Sequence, residues 1–281
     1  MEQHDLIYVP GHTGMVGSAI VRELEKQGYD SILLASKSEL DLTQQEAVRD
    51  WFEKHKPQYV FLCAAKVGGI AANMAEPASF LYSNLMITTN IIHSAYKNGV
   101  RKLLNFGSSC VYPRLSPQPM REEYILSGPL EPTNEGYAIA KIAGLRMCEY
   151  YQDQYGFNTL SIIPPNLYGP EDNFDPARSH VIAALIQKFH NAKKNNEESV
   201  TLWGTGKARR EFMYVEDLAE AAIYLMNHYD SKRFINVGTG VDITIHDLAK
   251  KIANIVGFDG KIQFDTTMPD GMPQKLMDIS E

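Results

Sequence analysis

The stretch YVPGHTGMVGSAI, residues 8–20, places Gly11, Gly14 and Gly17 directly after a short apolar run and at the start of a helical pattern. Glycines at a strand-to-helix turn let the backbone approach a pyrophosphate, and the helix N-terminus supplies amide donors and the positive end of its dipole. The stretch therefore predicts the phosphate loop of a dinucleotide-binding domain, against the alternative of a purely structural turn.

The same alternation of apolar runs and helical segments continues along the first part of the chain. The runs LIYV, SILLA, YVFLCAA, KLLNFGS and TLSII are separated by segments that predict helices over 15–27, 45–55, 77–98 and 137–155. Short continuous apolar runs between helices are typical of buried parallel strands. Residues 1–168 are therefore predicted to form an α/β domain, with the doubly wound parallel sheet of the Rossmann type.

The pattern changes after PPNLYGPEDNF. Helices are predicted near 180–191, 215–226 and 245–256, among short strands VTLW, FINV and KIQF. Residues 169–281 are therefore predicted to form mainly a smaller α/β substrate-binding lobe, and the helix that starts at Val215 could instead pack back on the first domain.

Composition limits the location and the partners of the protein. The 281 residues have a formal net charge of −7 and three cysteines without a C-x-x-C pair. An acidic chain is not expected to bind nucleic acid in general, and an odd number of thiols fits a reducing compartment. The chain shows no stretch of roughly 20 apolar residues and does not start like a signal peptide, so a cytoplasmic protein without a membrane segment is expected.

The end of the second predicted strand indicates which dinucleotide binds. An acidic residue there favours the free ribose of NAD, whereas a basic residue favours the 2′-phosphate of NADP. In LLASKSELDL, Ser36 and Lys37 stand at this place, and no carboxylate precedes Glu39. NADP(H) is the predicted cofactor.

A group of polar residues follows the fourth apolar run and opens a later helix. Tyr137 and Lys141 in EGYAIAKIAG are four residues apart and share a helix face, and Ser108 ends the run NFGSS. A nearby lysine favours the phenolate form of a tyrosine, which can then exchange protons beside a nicotinamide. Cys110 follows Ser108 by two positions. From the residues alone, it could be a packed core residue, half of a disulfide or a proton carrier.

The chain resembles the extended short-chain dehydrogenase/reductases and, within them, the GDP-L-fucose synthase family. The resemblance is carried by GHTGMVGSAI, AAKVGGI, NFGSSCVYP, LEPTNEGYAIAK, NLYGPEDNF, SHVI, WGTGKARREF, NVGTGVD and PDGMPQKL. It implies an NADPH-dependent enzyme that epimerises carbons 3 and 5 of GDP-4-keto-6-deoxy-D-mannose and reduces carbon 4.

The resemblance also implies roles for individual residues. Ser108, Tyr137 and Lys141 match the reductase triad, Cys110 the epimerisation base and His180 the opposing acid, and no metal is implied. Positions that match the cofactor site are Gly11, Thr13, Gly14, Met15, Val16, Gly17, Ser36, Lys37, Asp41, Leu42, Ala64, Lys66, Lys141, Pro164, Asn166, Leu167 and His180. Positions that match the site of the GDP-linked sugar are Lys188, Trp203, Arg210, Asp270 and Lys275. The helices near 86–98 and 137–155 match those that pair in a homodimer.

The sequence departs from the family at three places. Thr13 stands where relatives usually carry a basic residue, Pro165 replaces a common threonine, and the chain stops at LMDISE, before the usual C-terminal helices. The alternatives are a GDP-L-colitose synthase, another nucleotide-sugar epimerase or dehydratase, and a catalytically silent NADP-binding protein. Dehydratases usually carry acidic residues after the catalytic serine or threonine, where this chain has Ser109 and Cys110.

Overall fold

The computed structural model describes residues 1–175, 179–231 and 233–281. Within these ranges the chain forms twelve β-strands, eight α-helices and three short 3-10 helices. The strands are β1 (Ile7–Tyr8), β2 (Ile32–Leu33), β3 (Tyr59–Leu62), β4 (Lys102–Phe106), β5 (Thr159–Ile163), β6 (Asn166–Tyr168), β7 (Ser199–Trp203), β8 (Arg209–Tyr214), β9 (Ile235–Asn236), β10 (Asp242–Thr244), β11 (Lys261–Asp265) and β12 (Gln274–Lys275). The helices are α1 (Met15–Lys26), α2 (Gln45–His55), α3 (Ile70–Ala75), α4 (Pro77–Lys97), α5 (Glu135–Tyr155), α6 (Val181–Lys194), α7 (Val215–His228) and α8 (Ile245–Val256).

Six strands form a parallel sheet in the order β2-β1-β3-β4-β5-β9. Every residue of the inner strands β4 and β5 is buried, as expected for strands covered on both faces. The chain runs from β1 to β2 on one side and then to β3 on the other side. This reversal leaves a crevice at the carboxyl ends of β1 and β3, where ligands bind in sheets of this type.

Helices cover both faces of this sheet. Ile20 of α1 and Leu218 of α7 share one apolar core with the sheet, whereas Phe52 of α2, Ile92 of α4 and Cys148 of α5 share another. The predicted doubly wound α/β fold is confirmed. The four helices predicted in the first part of the chain begin and end within two residues of their predicted bounds.

One strand lies in a different sheet from the predicted one. FINV was expected in the smaller lobe, but β9 pairs with β5 through Ile162 and Ile235. The reason is that α7 packs against α1 and returns the chain to the first sheet. The division of the chain at residues 168 and 169 stays a prediction.

The smaller lobe is built around α6, α8 and two small sheets. Strands β7 and β11 pair in parallel, while β8 pairs with β10, β12 and β6. Phe189 of α6, Ile252 of α8 and Leu202 of β7 lie in its apolar core. Strand β6 follows directly after β5, so β8 and β12 are held beside the carboxyl edge of the large sheet.

In the ranges that the structure describes, no helix combines the length and apolar character that a membrane crossing requires.

Candidate active site

The glycine loop packs too closely for side chains at two of its three glycines. Gly11 has a φ of +87°, and a Cβ there would lie 2.6 Å from the backbone nitrogen of Ala64. A Cβ at Gly17 would overlap the carbonyl oxygen of Gly11. At Gly14, which precedes α1, the nearest such contact is 3.6 Å away, so the loop is open there. The first turn of α1 carries no acidic residue, which leaves its positive dipole end suited to a phosphate.

The other predicted cofactor residues lie beyond the carboxyl ends of neighbouring strands. Thr13, Met15 and Val16 follow β1, and Thr13 is exposed. Ser36, Lys37, Asp41 and Leu42 follow β2, Ala64 and Lys66 follow β3, and Pro164, Asn166 and Leu167 follow β5. His180 approaches from the smaller lobe, where it precedes α6.

A carboxylate occupies the end of β2, contrary to the expectation from the sequence. Glu39 folds back, and its Oε2 accepts hydrogen bonds from Ser36 N at 2.8 Å and Ser36 Oγ at 2.7 Å. These bonds lower the pKa of Glu39, and His12 adds to the shift. Ser36 is therefore engaged within the protein, and exposed Lys37 is the basic group at this place.

Lys66 and Asp41 also make contacts within the protein. Lys66 Nζ donates to Glu76 Oε2 and Ser79 Oγ, both at 2.6 Å, at the start of α4. Asp41 accepts from both the amide and the hydroxyl of Thr43, and these bonds lower its pKa. Both residues shape the crevice, and a cofactor would have to compete for their side chains.

Four predicted catalytic residues meet at the end of β4. Ser108 precedes the 3-10 helix Ser109–Val111, which turns the chain so that Cys110 Sγ lies 3.0 Å from Ser108 Oγ. Ser108 also lies near enough to Tyr137 for its side chain to lower the pKa of the phenol. The buried Lys141 donates from Nζ to the carbonyl oxygen of Phe106 at 2.8 Å and lies 5.8 Å from the centre of the Tyr137 ring. The three cysteines of the chain are unpaired, so no disulfide involves Cys110.

Burial determines how these groups titrate. It raises the pKa of Tyr137, nearby Cys110 raises it further, and Ser108 opposes the shift. Burial therefore opposes the phenolate form that the spacing of Tyr137 and Lys141 predicts, and Tyr137 keeps its proton near neutrality. Burial also lowers the pKa of Lys141 to about 8, although Cys110 and Cys63 act in the opposite direction.

The smaller lobe brings His180 and Lys275 to the same cleft. The His180 ring keeps exposed surface inside the cleft, but the surrounding protein lowers its pKa by desolvation, and Lys275 acts in the same direction. Asp172 opposes this shift. Desolvation likewise lowers the pKa of Lys275, whose charge also interacts with Cys110. Lys275 is thus an electrostatic neighbour of both the thiol and the imidazole.

The predicted sugar-nucleotide residues lie on the smaller lobe. Arg210 donates to the carbonyl oxygens of Arg209 at 2.8 Å and Asp270 at 3.1 Å. Desolvation lowers its pKa to about 10, against the charges of Asp270 and Glu131. Trp203 is 47% exposed, so it is not a core residue, and Lys188 Nζ lies 3.3 Å from the carbonyl oxygen of Thr201.

A cavity of about 680 Å³ opens beside Asp270, within the size range of small-molecule sites. Pro132 and Thr133 line both this cavity and a smaller one of about 230 Å³ that reaches Tyr137. Buried Glu131 also lines the larger cavity and pairs with Arg114 at 3.3 Å.

Sequence reasoning missed two buried acidic residues, Glu131 and Glu211. Both lie inside quoted motifs, LEPTNEGYAIAK and WGTGKARREF. A carboxylate in a segment that is predicted to be buried could have indicated them, because a buried carboxylate needs several hydrogen-bond donors.

The fold and the site together define a dinucleotide-binding protein of the doubly wound α/β class, with a serine after β4 and a tyrosine and a lysine on α5. Residues 7–238 match the NAD dependent epimerase/dehydratase family, and the chain belongs to this family.

Three known proteins illustrate how similar this chain is to individual members of the family. GDP-L-fucose synthase 1 from Arabidopsis thaliana is 53% identical over 275 residues, 98% of this chain and 85% of the relative. The structure of a GDP-6-OMe-4-keto-L-xylo-heptose reductase from C. jejuni has a TM-score of 0.94 at 40% identity, covering 100% of this chain and 92% of that chain. A GDP-L-fucose synthetase from Naegleria fowleri bound to NADP has a TM-score of 0.90 at 30% identity, covering 99% and 86%.

Proposed function

We propose that this protein is an NADPH-dependent enzyme that converts GDP-4-keto-6-deoxy-D-mannose to GDP-L-fucose by epimerisation at carbons 3 and 5 and reduction at carbon 4. The observation that carries the proposal is the Cys110 thiol, 3.0 Å from the hydroxyl of Ser108, inside a site that also holds Tyr137 and Lys141. A reductase alone needs only a proton donor and a cofactor, whereas a second proton-transfer group suits an epimerase.

The crevice fits NADP(H). The open side of the glycine loop at Gly14 would receive the pyrophosphate, and Lys37 would contact the 2′-phosphate. Asn166 and Leu167 would lie beside the nicotinamide, which supplies a hydride when the cofactor is bound. Binding of NADP to the Naegleria fowleri relative supports this assignment.

Epimerisation follows from the acidity of the carbons beside a ketone. Cys110, as thiolate, takes the proton from carbon 3 or carbon 5, and the electron pair of that C–H bond moves into an enolate whose oxygen is held by Ser108 and Tyr137. His180 then delivers a proton to the opposite face of the same carbon. Thiols and imidazoles are groups that exchange protons readily in active sites, which suits these two tasks. Burial lowers the pKa of His180, which makes its protonated form a stronger acid.

Reduction follows at carbon 4 once both centres are inverted. A bound NADPH would supply the hydride to the carbonyl carbon, and Tyr137 would give its proton to the oxygen that becomes the hydroxyl. Because Tyr137 is protonated near neutrality, it is ready to act as this acid. The charged form of Lys141 stabilises the tyrosinate that remains.

The GDP group would bind to the smaller lobe. The guanidinium of Arg210 offers a forked cation for the diphosphate, and Lys188 and Lys275 offer compact cations. Trp203 and Asp270 complete the predicted set, and the cavity beside Asp270 provides space for part of the ligand.

Incubation of the protein with GDP-4-keto-6-deoxy-mannose and NADPH, followed by NMR of the sugar, tests the proposal. GDP-L-fucose is the expected product. A 3-deoxy analogue that reacts much faster would favour a GDP-L-colitose synthase. Reduction of a GDP-linked 4-keto-heptose, without epimerisation of the keto sugar, would favour the activity for which the C. jejuni relative is named. Binding of NADPH without any turnover would identify a silent NADP-binding protein.

We also propose that the enzyme is a cytoplasmic homodimer. Its three unpaired thiols fit a reducing compartment.

Helices α4 and α5 pack against each other and present Tyr82, Ile139 and Tyr150 at their surface, with exposures of 61%, 43% and 63%. A second copy would cover these side chains.

A further inference from the structure

Glu211 lies fully buried at the point of β8 where its neighbouring strands change. Before Glu211, the residues Arg209 and Arg210 pair with β12, and after it the strand pairs with β6. One carboxylate therefore stands between the strand that carries Lys275 and the strand that carries Asn166.

Both oxygens of Glu211 accept hydrogen bonds from other segments. Oε1 accepts from the backbone amides of Thr239 and Gly240 and from the Thr239 hydroxyl. Oε2 accepts from the backbone amide of Met277 at 2.8 Å. All four partners are donors, so the site requires an acceptor at each oxygen, and bonds of this kind to a charged group are stronger than neutral ones.

These bonds hold residues that are predicted to bind the sugar nucleotide. Met277 follows Lys275 by two positions, and Arg210 immediately precedes Glu211. Lys275 pairs with Arg210 in a β12 strand of only two residues. Thr205 bonds the start of the segment 270–277 at Asp270, Gln118 bonds Gln274 and Leu276, and the bond from Met277 to Glu211 adds a buried anchor at its end. The Glu211 carbonyl oxygen also accepts from Asn166 Nδ2 at 3.0 Å.

We propose that Glu211 is a positioning residue for the GDP-sugar site: it holds the segment 270–277 against β8, so that Lys275 faces the diphosphate together with Arg210. The role in substrate binding rests on the proposed function. The position of the segment itself does not.

The variant Glu211→Gln tests this role because it keeps the size of the side chain. Its amide replaces one acceptor oxygen with an NH₂ group, which would face the N–H donors of Thr239 and Gly240 or that of Met277. The variant is expected to bind GDP roughly tenfold more weakly in calorimetry, equivalent to losing one good hydrogen bond. KM for the keto sugar should rise by a similar factor, while kcat and the fluorescence-measured affinity for NADPH should change less than about twofold.

A second variant covers the case in which Glu211→Gln fails to fold. A Cβ at Gly238 would overlap Glu211 Oε1, so Gly238→Ala displaces the carboxylate without removing its charge. It should weaken GDP binding in the same direction. The control is Glu23→Gln, which alters a carboxylate that is 6% exposed and accepts from Lys26 and Gln27 in the first lobe. This control is expected to lower the stability of the protein and to leave the GDP affinity unchanged.

Amide hydrogen exchange measures how firmly the segment 270–277 is held in the absence of any ligand. Faster exchange in 270–277, with unchanged exchange in β4 and β5, is the expected result for both Glu211→Gln and Gly238→Ala. Unchanged exchange in this segment, or a GDP affinity within twofold of the unmodified protein, would overturn the proposal. A wild-type protein that binds GDP but makes no GDP-L-fucose would contradict the proposed function alone.

Discussion

At the scale of single residues, desolvation is the largest influence on the protonation of Tyr137. Lys141 stands 5.8 Å from the Tyr137 ring, yet burial raises the pKa of Tyr137. The spacing of Tyr137 and Lys141 predicted that they meet, because a helix places residues four apart on one face. It could not predict their protonation, which depends on the surrounding segments.

The pH dependence of hydride transfer follows from Lys141. Its pKa lies at about 8 in the folded protein, so the lysine is charged below this pH and loses its charge as the pH rises through it. Single-turnover oxidation of NADPH should therefore slow with a falling limb near pH 8. In Lys141→Arg the charge persists, and the limb should move to higher pH. A rate that stays flat from pH 7 to 9 would contradict this role.

Tyr137 is predicted to supply the proton for reduction. Tyr137→Phe keeps the ring that packs against Phe80 but removes the hydroxyl, so hydride transfer should slow by about 100-fold or more, as expected for loss of a general acid. NADPH binding, followed by fluorescence, should be preserved. Normal oxidation of NADPH by the variant would remove Tyr137 from the mechanism.

At the scale of elements, the strands and helices of the large sheet could be predicted from apolar runs and helical periodicity. The helix over Gln45–His55 and that over Pro77–Lys97 follow directly from these patterns. The position of β9 could not be predicted, because a strand of two residues, Ile235 and Asn236, carries no pattern that assigns it to either sheet, and the packing of α7 on α1 decides its place. The return of Glu39 to Ser36, three positions away, was missed because the direction of the Glu39 side chain depends on the turn that follows β2.

The segment after β2 is predicted to select the cofactor. Lys37→Ala should narrow the difference between the affinities for NADPH and NADH severalfold, because the exposed ammonium is the basic group at this place. Thr13→Arg should widen the difference by adding a second cation beside the 2′-phosphate. Fluorescence titration with both cofactors measures the two effects, and equal affinities in the unmodified protein would argue against an NADP(H) site.

At the scale of the whole molecule, the site exists only where the two lobes meet. The large sheet contributes Ser108, Cys110, Tyr137 and Lys141, while the smaller lobe contributes His180, and the charge of Lys275 reaches both the thiol and the imidazole. Sequence motifs predicted the members of each group. The network around Glu211 that holds the second group could not be predicted, because its four hydrogen bonds join segments far apart in the chain.

Assembly is predicted to use the exposed face of α4 and α5. Light scattering at micromolar concentration should give about twice the chain mass of 31.6 kDa. Tyr150→Lys should weaken the dimer, because it places a charge among apolar side chains. Tyr224→Lys changes a tyrosine of similar exposure, 62% against 63%, on α7 and should keep the dimer mass. A monomer mass for the unmodified protein would rule out this assembly.

The central claim is that Cys110 moves protons at carbons 3 and 5 before reduction takes place. The measurement that tests it most directly is NMR of GDP-4-keto-6-deoxy-mannose after timed incubation with the protein in deuterated water, without NADPH. The unmodified protein should incorporate deuterium at both carbons, whereas Cys110→Ser, whose hydroxyl is far less acidic than a thiol, should incorporate little. Deuterium incorporation by Cys110→Ser at the rate of the unmodified protein would contradict the account and leave Cys110 as a packed thiol.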